Sequence, residues 1–383
     1  RGRRDCSGKE CLSYQLVWGA FRKYLDENPS DRDTRLMQVT GPMCRGGMFP
    51  VKDRLALERL GLDDHVRIFP IRLAGGVAMS YKSWVALVPM DIAYQLYLHA
   101  LAVEPERGSA MALYERYAER ILALTEEPWN PRRGEAVEMA TLWARTTRLL
   151  DDLSADFARL ERRSSPRGET RSVFVSGDIV TKGDHFASAG LFEALGEMGV
   201  RAVVDPVADF LEFLAVDHPQ LIFGRGSKLA GNLSYMVSMI TLRKELYRRV
   251  RRVHSWLPMP DVRGVLDRAE QVIGRATNGT SVLVAGSALY HWERYPVDGV
   301  VLTSCWGCDN GLVAEALLRR ERDIPSLIFY DDGTPMDRMR VASFAFRLHG
   351  RPPRTTSGSA TRPLGSGGIW SSSRRPRSPR ARP

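Results

Sequence analysis

Apolar positions along this chain recur with two periods. Short continuous runs (Leu36 to Thr40, Val66 to Leu73, Ser172 to Ser176, Val200 to Val204, Ser281 to Ala285, Gly299 to Thr303, Ser326 to Tyr330) alternate with longer stretches at three- and four-residue spacing. Runs that are apolar on both faces, separated by amphipathic segments, predict parallel strands covered by helices on both sides. A helical stretch is expected from Gly47 to about Leu60, after the turn Gly41-Pro42-Met43-Cys44-Arg45-Gly46-Gly47, and another from Ala187 to Met198. From about residue 82 to 163 the period is helical, with breaks at Pro105 and around Pro128 to Pro131. The most apolar window, Val77 to Val103, is interrupted by Lys82, Pro89, Asp91 and His99, so it predicts a buried helix pair and not a bilayer span.

This alternation predicts an α/β fold of two Rossmann/flavodoxin-like parallel-sheet domains with a helical insertion and a disordered C-terminal tail. The first domain is expected over residues 1–165, with the Cys6, Cys11 and Cys44 loops and the insertion. The second runs over 166–350 with the Cys305/Cys308 loop, after a polar break at Arg162 to Glu169. Residues 351–383 are mostly Arg, Ser, Pro and Gly, with one Trp and no apolar period, and are expected to stay disordered. In such folds ligands gather at the carboxyl ends of strands. Cys44, Gly177-Asp178, Cys305 to Cys308 and Asp331-Asp332-Gly333 all fall at predicted strand ends.

The 383 residues carry a formal charge of +10 and are 44% hydrophobic, which fits a folded protein with a sizeable core. Eight arginines of the 351–383 tail account for most of the charge, and the remainder is near +2. The folded part therefore offers no case for nucleic acid. Five dispersed cysteines, with no secretory signal before them, predict a reducing cytoplasm. The Arg1 start predicts the downstream part of a longer polypeptide.

The cysteines sit in three glycine-bearing loops: Cys6-Ser7-Gly8-Lys9-Glu10-Cys11, the Cys44 turn and Cys305-Trp306-Gly307-Cys308. Helices starting just after Cys11, Cys44 or Cys308 would aim their positive ends at thiolate sulfurs and stabilise an anionic centre. Zinc competes as a ligand: Cys305-x-x-Cys308 is half a zinc ribbon, although the second pair is missing at ribbon spacing. Other motifs fail. Gly8-Lys9 lacks the first glycine and the Ser/Thr of a phosphate loop, and Gly224-Arg225-Gly226 lacks the third glycine of dinucleotide spacing. Arg248 to Arg252 reads as a solvated helix face, and His185, His254 and His291 show no metal spacing.

Cys6-x-Gly8-Lys9-Glu10-Cys11-Leu12, Gly41-Pro42-Met43-Cys44-Arg45-x-Gly47 and Trp306-Gly307-Cys308 followed by Val313-x-Glu315-Ala316-Leu317-Leu318 resemble the 2-hydroxyacyl-CoA dehydratase and benzoyl-CoA reductase component family. More closely, they resemble the dehydratase-like half of large acyl-CoA dehydratase activase-related proteins. Val173 to Val207 and Ile324 to Pro335 share the likeness, which runs from about Cys6 to Leu348. The resemblance implies a [4Fe-4S] cluster held by Cys11, Cys44 and Cys308, with Cys6 as fourth ligand or as an alternative to Cys11. It also implies low-potential electron transfer to acyl-CoA dehydration or reduction in anaerobic metabolism. The partners implied are an ATP-dependent activator of the actin-like ATPase class and an acyl-CoA dehydratase-like subunit, with a dimer as one arrangement and neither nucleic acid nor membrane. Met43 just before Cys44 and the additional thiol of Cys305 depart from the family pattern, so the fourth ligand stays open. No ATPase loop is present, so the chain is not expected to hydrolyse ATP alone.

Glu10, Asp178 and Asp331 are the candidate proton-transfer carboxylates, against a plainer reading as turn and cap residues. Beside the electron-transfer reading stand a catalytic [4Fe-4S] subunit of a 2-hydroxyacyl-CoA dehydratase or acyl-CoA reductase, and a zinc-stabilised nucleic-acid-binding scaffold.

Overall fold

Strands form where the continuous apolar runs lie, with one exception. A computed structural model describes residues 1–355 apart from 9, 31–32, 40–43, 72–76, 131, 164–169, 219–228, 275–276 and 278. Lys9, the turn glycine Gly41, the Gly224 loop, most of the Arg162 to Glu169 break and the tail beyond 355 therefore lie outside the described residues. β1 (Thr34–Val39) and β2 (Val66–Ile71) pair in parallel, with Leu36 opposite Ile68. β3 (Arg171–Gly177), β4 (Val200–Val204), β5 (Gly299–Cys305) and β6 (Ser326–Asp331) make a second parallel sheet in the order β4-β3-β5-β6. The molecule is thus α/β with two parallel sheets.

Helices carry the crossovers. α1 (Gly2–Asp5) and α2 (Leu12–Glu27) precede β1, and a 3-10 turn (Arg45–Met48) with α3 (Phe49–Leu60) leads to β2. α4 (Val77–Ala100), α5 (Ser109–Glu126) and α6 (Glu135–Arg163) form the helical layer, broken near the two proline positions as expected. α7 (Ile179–Gly183) and α8 (Leu191–Glu197) link β3 to β4. α9 (Val207–Asp217), α10 (Leu229–Arg251), α11 (Val262–Glu270) and α12 (Ser281–Arg294) lie between β4 and β5. α13 (Asp309–Leu318) joins β5 to β6, and α14 (Arg338–His349) follows.

Three local expectations need correction. Ser281 to Ala285 is no strand but the first turn of α12. Ser281 through His291 are all buried, so this part of the helix has no solvent-facing side, and its short apolar run carries no period to separate it from a covered strand. The window from Val77 is one continuous helix, α4, with Pro89 inside it, and not a helix pair. Ala187 to Gly190 forms a turn, and the helix begins only at Leu191.

The largest core joins the helical layer to the second sheet. Ile92 and Leu96 of α4 and Phe157 of α6 share it with Val173 and Val175 of β3 and Ala202 and Val204 of β4. On the opposite face α12 contributes Val284, Ala288 and Leu289 against Val300 and Leu302 of β5. The first sheet has a small core of its own, built on Tyr14, Trp18, Leu36, Leu57, Val66 and Ile68, with Cys6 and Cys11 packed against its rim.

From β3 the chain steps out to β4 on one side, then returns to lay β5 on the other side of β3. The carboxyl ends of β3 and β5 therefore flank the point where strand order reverses, the position at which open α/β sheets bind ligands. Gly177-Asp178 and Cys305 stand there. The first sheet's segment reaches the same edge: Arg3 Nη2 donates to the Asp332 carbonyl at 3.1 Å, and the Ser13 hydroxyl lies 2.9 Å from Cys305 Sγ.

Candidate metal centre

Three of the five cysteines occupy the residue immediately before a helix. Cys11 precedes α2, Cys44 the 3-10 turn and Cys308 α13, each with an extended backbone that ends the loop and lets the next residue turn. Every such helix start presents unpaired N–H groups and the positive end of its dipole. At Cys44 the effect is direct: the Gly46 N–H donates to the sulfur at 3.3 Å.

Cys305 arrives differently, as the last residue of β5 with only 1% of its surface exposed. Gly307, at φ 81°, makes the left-handed turn that brings Cys308 back toward it, and the Cys308 N–H donates to the Cys305 carbonyl at 3.1 Å. The Trp306 N–H donates to the Asp331 carbonyl at 2.8 Å and fastens the loop to β6. As a result a carboxylate oxygen of Asp178, Cys305 Sγ and Cys308 Sγ all lie within 4.8 Å of one another.

The thiols perturb one another's acidity. Cys305 acts on the titration of both Cys11 and Cys308. The Cys305 thiol beside it holds Cys11 below the ordinary thiol range. Cys305, beside Cys11 and desolvated, is pushed up to about 12. Cys308 is raised still further by Cys305 and by burial. Desolvation also raises the Cys44 thiol, on which the charges of Cys308, Asp309 and Asp178 act as well. Cys11, Cys44, Cys305 and Cys308 thus sense one another across a single site. Cys305 and Cys308 beside Asp178 are a donor group that a soft metal would occupy by displacing the thiol protons.

Different groups act on Cys6. Burial, then the Glu10 and Asp5 charges, push it up to about 11, and its other charged neighbours are Lys52 and Asp53. Glu10 is tied to Lys52 and to the Ser7 N–H and hydroxyl; these outweigh desolvation and hold it near 2, which suits a turn and not a proton carrier. Asp331 accepts the Gly333 N–H at 2.9 Å, and burial raises it. Asp178 caps α7, accepting from the Val180 and Thr181 N–H groups at 2.9 and 3.0 Å. Its second oxygen accepts the Thr181 hydroxyl at 2.9 Å and the Cys305 N–H at 2.6 Å.

Sequence reasoning treated Cys305 as surplus. Its signal was its place as the last residue of an apolar strand, the position at which this fold delivers ligands. Ser13 carried no signal, because only the folded chain brings α2 to the end of β5.

No protein-family model, curated protein or solved structure matches this chain. No helix among the described residues is long and apolar enough to cross a membrane.

Proposed function

We propose that this chain is an iron-sulfur electron-transfer protein whose centre is held by Cys11, Cys44, Cys305 and Cys308. The observation that carries the reading is the Asp178, Cys305 and Cys308 group at the reversal point of a parallel sheet, with the Cys11 and Cys44 thiols of two other segments near enough for their charges to interact with Cys308. Cysteine thiolates are the usual ligands of such clusters, and three of these four begin helices whose N–H groups favour anionic sulfur. When bound, a [4Fe-4S] cluster would supply one-electron transfer at low potential. The chain's own part is to fix four donors on strand and helix ends, to bury Cys305 and to offset their charge. Cys6 would stay outside the ligand set.

The resemblance of the cysteine loops supports a place for this transfer in acyl-CoA dehydration or reduction, with an ATP-dependent activator as electron source. Four thiols would close the coordination sphere, which favours a relay over a catalytic subunit with an open iron site. Zinc is the second reading, favoured by one observation: the Asp178, Cys305 and Cys308 donors are close enough to surround a single ion.

Anaerobic purification with iron, acid-labile sulfide and zinc analysis tests the proposal. Iron and sulfide in near-equal amounts with a broad visible absorbance are expected, and a colourless protein with stoichiometric zinc would overturn it. Cys44→Ser and Cys305→Ser should lose most of that absorbance, whereas Cys6→Ser should keep it.

A further inference from the structure

The four sulfurs have unequal surroundings. Cys11, Cys44 and Cys308 each stand at a helix start, where the field is positive. Cys305 stands at a strand end, and its own backbone N–H donates to the Asp178 carboxylate. All four acceptor positions of that carboxylate are filled: Val180 N–H and Thr181 N–H on one oxygen, Thr181 hydroxyl and Cys305 N–H on the other. This carboxylate, though fully engaged, lies within 4.8 Å of two sulfurs. No Lys or Arg side chain hydrogen-bonds or ion-pairs with Asp178 among the described residues.

Resting on the iron-sulfur reading, we propose that Asp178 is the positioning residue that sets the reduction potential of the thiol centre, as a fixed negative charge beside the Cys305 and Cys308 sulfurs. Two effects act in the same direction. The charge opposes the arrival of an electron, and the carboxylate removes from the sulfurs an N–H that would otherwise stabilise the reduced state. Both lower the potential. The same four hydrogen bonds lock β3, α7 and β5 together, so the charge cannot swing away when the centre changes oxidation state.

The experiment is a redox titration of the reconstituted full chain, followed by electron paramagnetic resonance, for wild type, Asp178→Asn, Asp178→Glu and Asp309→Asn. Asp178→Asn should raise the midpoint potential, Asp178→Glu should return toward wild type, and the exposed Asp309→Asn should move it less. An Asp178→Asn potential equal to that of wild type would overturn the proposal. So would variants that fold by circular dichroism but hold no cluster in either the Asn or the Glu form, since that marks a purely structural residue. Wild type that takes up no iron sinks the iron-sulfur reading by itself. The cobalt(II)-loaded protein then supplies the readout: loss of the neighbouring charge should move the sulfur-to-cobalt charge-transfer band to higher energy in Asp178→Asn, and an unmoved band would reject the role.

Discussion

Asp53 shows what one buried carboxyl does to the pH dependence of this fold. Its side chain is fully buried in α3, neither oxygen accepts a hydrogen bond, and Tyr14 is the polar group that faces it. Burial pushes it up to about 7. Between the unfolded value near 4 and this folded value, the native state keeps a proton that the unfolded chain releases, so stability is highest in acid and falls as pH rises. The loss amounts to about 4 kcal/mol at most once the pH is above 7. His99 and His291 act oppositely: burial holds both near 4, so their share of stability is present above the unfolded value of about 6.5 and is lost as pH falls toward 4. Urea unfolding of Asp53→Asn at pH 5 and 7.5 should isolate the carboxyl. The variant should gain on wild type at the higher pH, and an equal difference at both values would reject the assignment. None of this is legible in the sequence, where Asp53 is one polar residue of an amphipathic helix. Burial is a property of the partners, and these come from Tyr14 and the first sheet's core.

Helix starts were the most legible elements of the site, because a glycine-bearing loop ending in cysteine before an apolar-periodic run has few other local solutions. The expected helices after Cys11, Cys44 and Cys308 are all present. What could not be read was which strand ends meet, since register and strand order are long-range. Gly177 fixes that meeting. It closes β3 at φ 150°, and a Cβ there would lie 1.7 Å from the Thr303 carbonyl oxygen of β5, which is backbone and cannot step aside. Gly177→Ala should therefore destabilise the protein by at least about 3 kcal/mol and separate Asp178 from Cys305. Gly307, at φ 81°, has open space where its Cβ would stand. Gly307→Ala should cost only the left-handed strain, about 1–2 kcal/mol. Thermal melting of the pair checks this; equal losses would mean that conformation, and not the close approach of β3 to β5, makes Gly177 necessary.

Across the whole molecule the second sheet and the helical layer are joined by a buried charged network as well as by apolar packing. Arg243 of α10 has no exposed surface; it pairs with Asp209 and, at 2.8 Å, with Glu212, both of α9. Its guanidinium lies 5.6 Å from the Tyr247 ring, the Tyr247 hydroxyl donates to Gln95 of α4 at 2.9 Å, and Gln95 donates to the Val204 carbonyl that ends β4. Asp91 of α4 completes the circuit by accepting the Val207 and Ala208 N–H groups that open α9. Arg243→Met would keep the volume but leave two carboxylates buried without their cation, a loss of about 3–5 kcal/mol at pH 7. Because burial already raises Glu212, removing the guanidinium raises it further, and acid can then neutralise what the variant left unpaired. The destabilisation of Arg243→Met relative to wild type should shrink between pH 7 and 5. Arg243→Met/Asp209→Asn/Glu212→Gln should recover much of the loss at pH 7. A deficit that is the same at both pH values and persists in the triple variant would mean that Arg243 contributes through its packing, and that these helices are held by shape alone.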